Sequence, residues 1–582
     1  MRMFKIIGKI AAACLLLTPG MAFAPLPPLR AAAAKSFSGG SPGVRGGTLT
    51  IALRSEPKTL NPALASDAAS QDVIYCMNAD LIHINRSSQR TEPELAQSWD
   101  VSSDGRTYTL HLRRGLRFSD GQPFTADDVV FSFRVYLDPR IDSPQRELLI
   151  IGGKPISVAK LDEYTVRFGL AEPYAAAERL FDGFPILPRH LLDRVYREGK
   201  FSKAWAISDA PSAFAGLGPF RLAEYVPGQR IVLERNPYYW TRDSSGTQLP
   251  YLDRIVFLFV PSEDAQVIRF LSGETDVLSR FSSEDFAVLQ RQESKEKFHV
   301  YDLGPSLEYN FLFFNLNDVS TRNLPQIAKK QAWFRDLRFR QAVSLAIDRA
   351  AIVRLVYQGR AAVLASQVTP GNKLWLDPAI AQPVRSLERA RELLKSAGFS
   401  WRPDGSLEGP GQHPVEFSIL TSSSNSQRMK IATLIQSDLG QLGMNVHVVS
   451  LDFGAMVDRL LNSFDYEAAI MGLADGDADP NTEMNVWLSS GEMHLWHLNE
   501  SRPATPWEAD LNRLMNVQLV ELNYLKRKKL YGQVQAIVAR ELPIICLASP
   551  DVLVAARNNI GNFSPAILEP YVLWNVDRIY VR

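Results

Sequence analysis

Hydrophobic and polar positions alternate along most of this chain with a period of either two or about three and a half, which divides it into short strands and amphipathic helices. Residues 48–53 (TLTIAL) read as a strand, and SEPKTLNP at 55–62 follows with two prolines that no helix accommodates. In 96–133, Tyr108, Leu110 and Leu112 alternate with Thr109, His111 and Arg113, between the turn dipeptides Asp104-Gly105 and Asp120-Gly121. Thr125 and Asp128 then form a capping box ahead of Val129, Val130 and Phe133 on one helical face. This stretch predicts a β-meander running into a capped helix. Strands are also predicted at 163–170, 255–260 and 276–278, with a helix over 265–271 stopped at Gly273.

The second half predicts helices at 339–358, ended by Gly359, and at 387–396, ended near Gly398. Strands at 417–420, 446–449 and 468–473 then alternate with helices at 428–441 and 453–462, and further helices follow at 509–518 and 525–540. A βαβαβ order implies a parallel sheet, so the fold class is α/β. Ligands of such sheets bind beyond the carboxyl ends of the strands. Here those ends carry Thr421 to Gln427 (TSSSNSQ), Ser450 to Gly454 (SLDFG) and Ala474 to Pro480 (ADGDADP). The first loop offers hydroxyls and amides, including Ser423 and Asn425, and the third offers Asp475, Asp477 and Asp479. A cleft that encloses an ammonium group must supply a carboxylate, because an unpaired buried charge costs several kcal/mol. Calcium is not expected: Pro480 stands where an EF-hand loop needs glycine, and Glu483 comes too early for the bidentate position. Trp487, Trp496 and Trp507 surround a polar stretch near the same edge and suit stacking on sugars or apolar side chains. His494 and His497 lie three apart, without a third metal donor at fitting spacing.

The chain has 582 residues, which suggests roughly three or four domains. With 64 basic and 63 acidic residues the net charge is +1, so no global field attracts nucleic acid or an anionic membrane. Arg2, Lys5 and Lys9, the apolar run Ile10 to Leu17 and Ala22-Phe23-Ala24 have the form of a secretory signal cut after Ala24, with a later cut within Ala31 to Ala34 as the alternative. Lipidation at Cys14 is not expected, because its upstream neighbours Ala11-Ala12-Ala13 lack the usual leucine and the apolar run continues past it. Residues 25–44 read as a linker rich in Pro, Ala, Gly and Ser. Export leaves Cys76 and Cys546, expected as two separate buried thiols. No nucleophile elbow between a strand and a helix occurs, nor H-E-x-x-H, a P-loop or G-x-G-x-x-G. The expectation is therefore a protein without catalytic residues, metal or cofactor.

The string AQSWDVSSDGRTYTLHLRRGLRFSDGQPFTADDVVFSF at 96–133 resembles the signature of bacterial family 5 extracellular solute-binding proteins, the peptide- and nickel-type receptors of ABC importers. The opening strand and loop, FPILPRHLL at 184–192 and GLGPFRLAEYVPGQRIVLERNPYYW at 216–240 extend the likeness. The resemblance implies a periplasmic-binding-protein type II-like fold of two lobes and an extra domain. The first lobe would comprise 45–88, 213–304 and 548–582, the extra domain 89–212 and the second lobe 305–547. Hinges near Gly304-Pro305 and Ser549-Pro550 would close a cleft on the solute. The implied partners are a membrane permease and ATPase, and the implied state is a monomer in the periplasm.

Peptide-binding members carry a pattern like G-W-x-x-D-x-x-[DE]-P, whose Asp holds the peptide ammonium. Here the string runs from Gly472 through Ala474 to Pro480; Leu473 replaces the Trp, and the Asp position falls on Gly476 between Asp475 and Asp477. The resemblance thus implies a short peptide as cargo, held near Gly472, Ala474, Asp475 and Asp477. The alternatives are an oligosaccharide on Trp487 and Trp496, or a nickel complex. In another class stands a peptide-binding chaperone or sensor that works without a permease.

Overall fold

The structure is a computed structural model that describes residues 42–293, 297–320, 322–474 and 476–582. The expected signal segment with Cys14, the expected linker up to residue 41, and Asp475 lie outside the described residues.

Two large hydrophobic cores organise the chain. The first gathers Leu49 and Ile51, the helix Ala68–Met77, the aromatic cluster of Phe131, Phe133 and Phe168, and the C-terminal Val572 to Ile579. The second runs from Leu307 to Ala548 and is joined by Leu568. Each core follows from the predicted periodicity. Tyr108, Leu110 and Leu112 point inward from the strand Thr107–Leu112, which pairs antiparallel with Ala96–Val101 and Thr165–Gly169. Thr125 caps the helix Ala126–Leu137, with the Asp128 carboxylate accepting from the Thr125 amide at 2.9 Å.

One twisted sheet passes through both lobes. Its order among the described residues is Phe220–Val226, Arg230–Arg235, Arg254–Phe259, Thr48–Leu53, Val277–Ser279, Ile544–Arg557, Glu308–Phe314, Ala468–Ala474, Glu416–Ser422 and Asn445–Leu451. The βαβαβ unit takes the expected parallel form: Glu416 pairs with Asn445 and Ile419 with Ala468. The helix predicted over 339–358 is broken into Leu337–Ala346 and Arg349–Val356. Asp348 causes the break. Its side chain accepts from the Ala351 amide at 2.8 Å, and its own amide donates to Asp438 at 2.8 Å, so the first helix stops and a second is capped.

The long strand Ile544–Arg557 changes partners along its length. Ile544 to Ala548 pair with Glu308–Phe314, and Asp551 to Arg557 pair with Phe298–Pro305. Backbone and side-chain hydrogen bonds join the two cores here, Thr369 and Ser549 both donating to the Ser306 carbonyl. Ser306 donates to the Pro550 carbonyl at 2.9 Å, and Gly304 holds φ +80°, a left-handed conformation that favours glycine. Cys76 sits in the first core and Cys546 in the second, both buried and free. Among the described residues no helix is long and apolar enough to cross a membrane.

Candidate functional site: a charged cavity between the lobes

A cavity of about 1210 Å³ lies between the first core and loop 476–482 of the second. It exceeds the ~300–1,000 Å³ typical of drug-sized ligands. Its floor is the helix Ala68–Met77, which presents Asp72 and Tyr75, followed by Asp80, His83 and Arg86. Glu94 adds another carboxylate, and the C-terminal segment closes one side with Phe563, Tyr571, Trp574 and Asp577. The second lobe contributes Gly476, Asp477, Asp479, Asn481 and Thr482.

The expected site residues separate into four groups. Asp477 reaches the cavity wall, where both carboxylate oxygens take a bidentate ion pair from Arg179. Arg179 also donates to the Gln89 carbonyl at 2.9 Å, and the two charged side chains are only 13% and 18% exposed. Asp479 lies at the wall too, but its charge is turned into the second lobe. It accepts from Arg527 at 2.7 and 2.6 Å and caps the Asn481 amide at 3.0 Å.

Ser423, Asn425, Gly472 and Ala474 do not line the cavity. Asn425 is engaged as a helix cap, accepting from the Arg428 amide at 2.8 Å, and the Ser423 amide donates to the Leu451 carbonyl at 2.7 Å. Gly472 makes room for Arg428, whose Nη2 would lie 2.2 Å from any added Cβ. Ala474 ends its strand opposite Glu308. Strand order explains the difference between loops. Ala468–Ala474 lies nearer the first lobe than Glu416–Ser422 and Asn445–Leu451, so only the loop after it reaches across.

Trp487 and Trp496 correct the expectation of an aromatic cleft. They are 0% and 1% exposed in the second core, their rings 5.7 Å apart. Each indole N–H finds a buried carboxylate: Trp487 donates to Glu483 at 2.8 Å and Trp496 to Glu508 at 3.3 Å. His494, Glu500 and Glu508 cluster beside them, with one ligand atom from each within 4.8 Å of the others. His497 pairs with Glu500, and Thr505 donates to Glu508 at 2.7 Å, so this polar group knits the core rather than facing the cavity.

Sequence patterns passed over the first-lobe wall. Its charges are strongly perturbed. Burial would raise the Asp182 carboxyl, but Arg86 at 2.9 Å outweighs it and holds that group below the usual carboxylate range. Arg86 also donates to the carbonyls of Ile84 and Glu569, both at 2.7 Å. Around the neighbouring acids the cations His83, Arg86, Arg113, Arg280 and Arg578 do not outweigh burial. Burial, with Glu569 nearby, pushes Asp72 up to about 7. Burial does the same to Glu94, which reaches about 7, with Asp577 adding to the effect. Asp80 rises through burial and the adjacent Asp182 charge, and Asp577 through burial. No periodicity marks these residues, because the cavity collects them from separate segments.

A pH dependence follows. Carboxyls raised above their ordinary range favour the fold when protonated, so their contribution is gained as pH falls and lost as it rises through about 7. His497, raised against burial by Glu500, acts in the same direction. Asp182 and Asp138, held low, stay ionised through this window. The unliganded protein should therefore melt a few degrees higher near about pH 5.5 than near about pH 8. Glu94→Gln should flatten part of that slope in differential scanning fluorimetry; a melting temperature that falls on acidification across this range would contradict the assignment.

The comparisons agree with this architecture. The family model for bacterial extracellular solute-binding proteins, family 5 middle, matches residues 90–494. A probable ABC transporter-binding protein of Deinococcus radiodurans is 27% identical over 530 residues, covering 87% of each chain. The dipeptide-binding protein of Escherichia coli is 26% identical over 538 residues, covering 89% of this chain and 92% of that one. An ABC transporter substrate-binding protein of Listeria monocytogenes, solved by crystallography, shares the fold with a TM-score of 0.76 at 23% identity, covering 92% of this chain and 99% of that one. With a matched model spanning most of the sequence and a cavity set between two lobes, the chain belongs to the bacterial extracellular solute-binding proteins of family 5.

Proposed function

We propose that this protein is the exported receptor of an ABC importer and that it captures a short peptide between its lobes for delivery to a membrane permease. The observation that carries the reading is the cavity of about 1210 Å³, walled by both lobes and bridged by Arg179 and Asp477. A family 5 relative that binds dipeptides supports the cargo class. The leader directs export, residues 45–88, 213–304 and 548–582 form one lobe with 89–212 packed on it, and 305–547 forms the other. The receptor acts as a monomer and performs no chemistry on its cargo. It depends on separate permease and ATPase subunits for energy.

Closure turns about the segments near Gly304-Pro305 and Ser549-Pro550, where short backbone links join the cores. Shifting a two-state protein from mostly open to mostly closed requires about 5 kcal/mol of differential affinity. Micromolar binding provides about 8 kcal/mol in total, which is sufficient. Small-angle scattering of the mature protein should show a smaller radius of gyration on adding a tripeptide mixture. Arg179→Ala, which removes the interlobe ion pair at the cavity, should shift the unliganded protein toward the open form. Scattering curves unmoved by peptides, with no heat of binding, would overturn the reading.

A further inference from the structure

The ammonium-binding place that the resemblance suggests is already partly answered from within the protein. Asp477, on the second-lobe loop, is held bidentate by Arg179 from the first lobe's side. Asp479, two residues on, is held by Arg527. Neither carboxylate is left with an unmatched charge to offer a ligand.

The opposite wall is different. Six carboxylates, Asp72, Asp80, Glu94, Asp182, Glu569 and Asp577, border the cavity from the first lobe's side. The arginines near them are engaged. Arg86 serves Asp182 and two carbonyls, and Arg280 reaches Glu569 at 3.4 Å and lies over the Tyr571 ring. Asp577 lies 4.0 Å from Arg578 and accepts from the Tyr239 hydroxyl at 3.3 Å, and it still stands above its ordinary range because burial outweighs them. Oδ1 of Asp80 is buried without a hydrogen-bond partner. Glu94 and Asp577 act on one another, as do Asp80 and Glu94, so these acids share one region of the wall. His83, Arg113 and Arg578 draw Glu94 down and Arg578 and His83 draw Asp577 down, yet burial outweighs them in both; carboxylates so under-compensated are costly to bury, and an arriving cation relieves that cost.

We infer that the solute this cavity takes carries a net positive charge, and that its cationic group docks on the first-lobe wall against Asp80, Glu94 and Asp577 rather than on loop 476–482. This rests on the reading of the cavity as a solute site and names the class of solute. An ammonium or guanidinium on a short peptide fits the chemistry. Tyr75, Tyr239 and Trp574 supply aromatic surface around it, which also favours a cation.

The test is calorimetric titration of the mature protein with Ala-Lys-Ala, Ala-Met-Ala and Ala-Glu-Ala, which carry net charges of about +1, 0 and −1. Affinity should fall in that order, by about tenfold for the first step. Glu94→Gln and Asp80→Asn hold each group neutral, so that it cannot ionise to meet an arriving cation, with little change of shape, and both variants should fold. Each should weaken Ala-Lys-Ala by about tenfold and Ala-Met-Ala by less than about threefold, compressing the series. Binding of all three with equal affinity, or tightest binding of Ala-Glu-Ala, overturns the charge inference and leaves the receptor reading standing. An order unchanged in both variants overturns the docking place. If none of the three binds, the peptide reading falls. The charge inference is then decided by mass spectrometry of the solute that co-purifies: an anionic or uncharged one overturns it, and a cationic one supports it.

Discussion

Arg527→Met is expected to destabilise the second lobe by about 3–5 kcal/mol, the cost typical of breaking a buried ion pair from one side. Arg527 and Asp479 are each 5% exposed, and two short hydrogen bonds join them. The guanidinium also donates to the Gln518 carbonyl at 3.1 Å and lies 4.7 Å from the Trp375 ring centre. Methionine fills much of the volume but leaves the Asp479 carboxylate in the core without a partner. Asp479 begins the short helix Pro480–Glu483 that follows Asp477, so the loop reaching the cavity should loosen as well. Urea denaturation should report the loss of stability. Adding Asp479→Asn to Arg527→Met should recover a substantial part of it, because the amide oxygen still caps Asn481 and no charge remains buried. A single variant as stable as the parent would show that the pair contributes nothing. Recovery by the double variant separates the charge effect from loss of the arginine's packing.

Trp496→Ala should cost a similar amount, about 3–5 kcal/mol, as expected for emptying a large buried aromatic site. The ring packs against Trp487 and lies 3.9 Å from the His494 ring centre, inside the second core. Its removal also leaves Glu508 without the indole donor. Once folded, the variant should bind tripeptide within about twofold of the parent, because no atom of Trp496 borders the cavity. Thermal melts and calorimetry on the same preparation check both halves. Unchanged stability with lost binding would place this tryptophan on a ligand surface and contradict the structure.

The contrast between these tryptophans and Asp477 shows how far pattern reading reaches. A tryptophan in a polar stretch satisfies the same local pattern whether its indole meets a sugar or a buried glutamate. Trp487 and Trp496 meet Glu483 and Glu508, four and twelve residues away in sequence. The aspartate-rich loop was legible because it follows a strand of a parallel unit, where loops gather at one edge. Which loop reaches the cavity was not legible. That depends on strand order, which local periodicity does not encode. The same limit applies to the helix over 339–358. Its apolar period continues through Asp348, whose cap on Ala351 is local but whose own amide is taken by Asp438, ninety positions away.

The pattern of apolar residues along this chain by itself determined its strands and helices, its α/β class and the parallel unit in the second half, because period and turn chemistry act over a few residues. The family signature carried the two-lobed architecture in the same local form. Only the tertiary structure decided which charges face the cavity and which are already matched. Arg179 meets Asp477 across 298 positions, and Arg86 meets Asp182 across 96. The free energy of a buried charge depends on whether a partner lies within a few ångströms. Folding sets that distance, and no spacing along the chain records it.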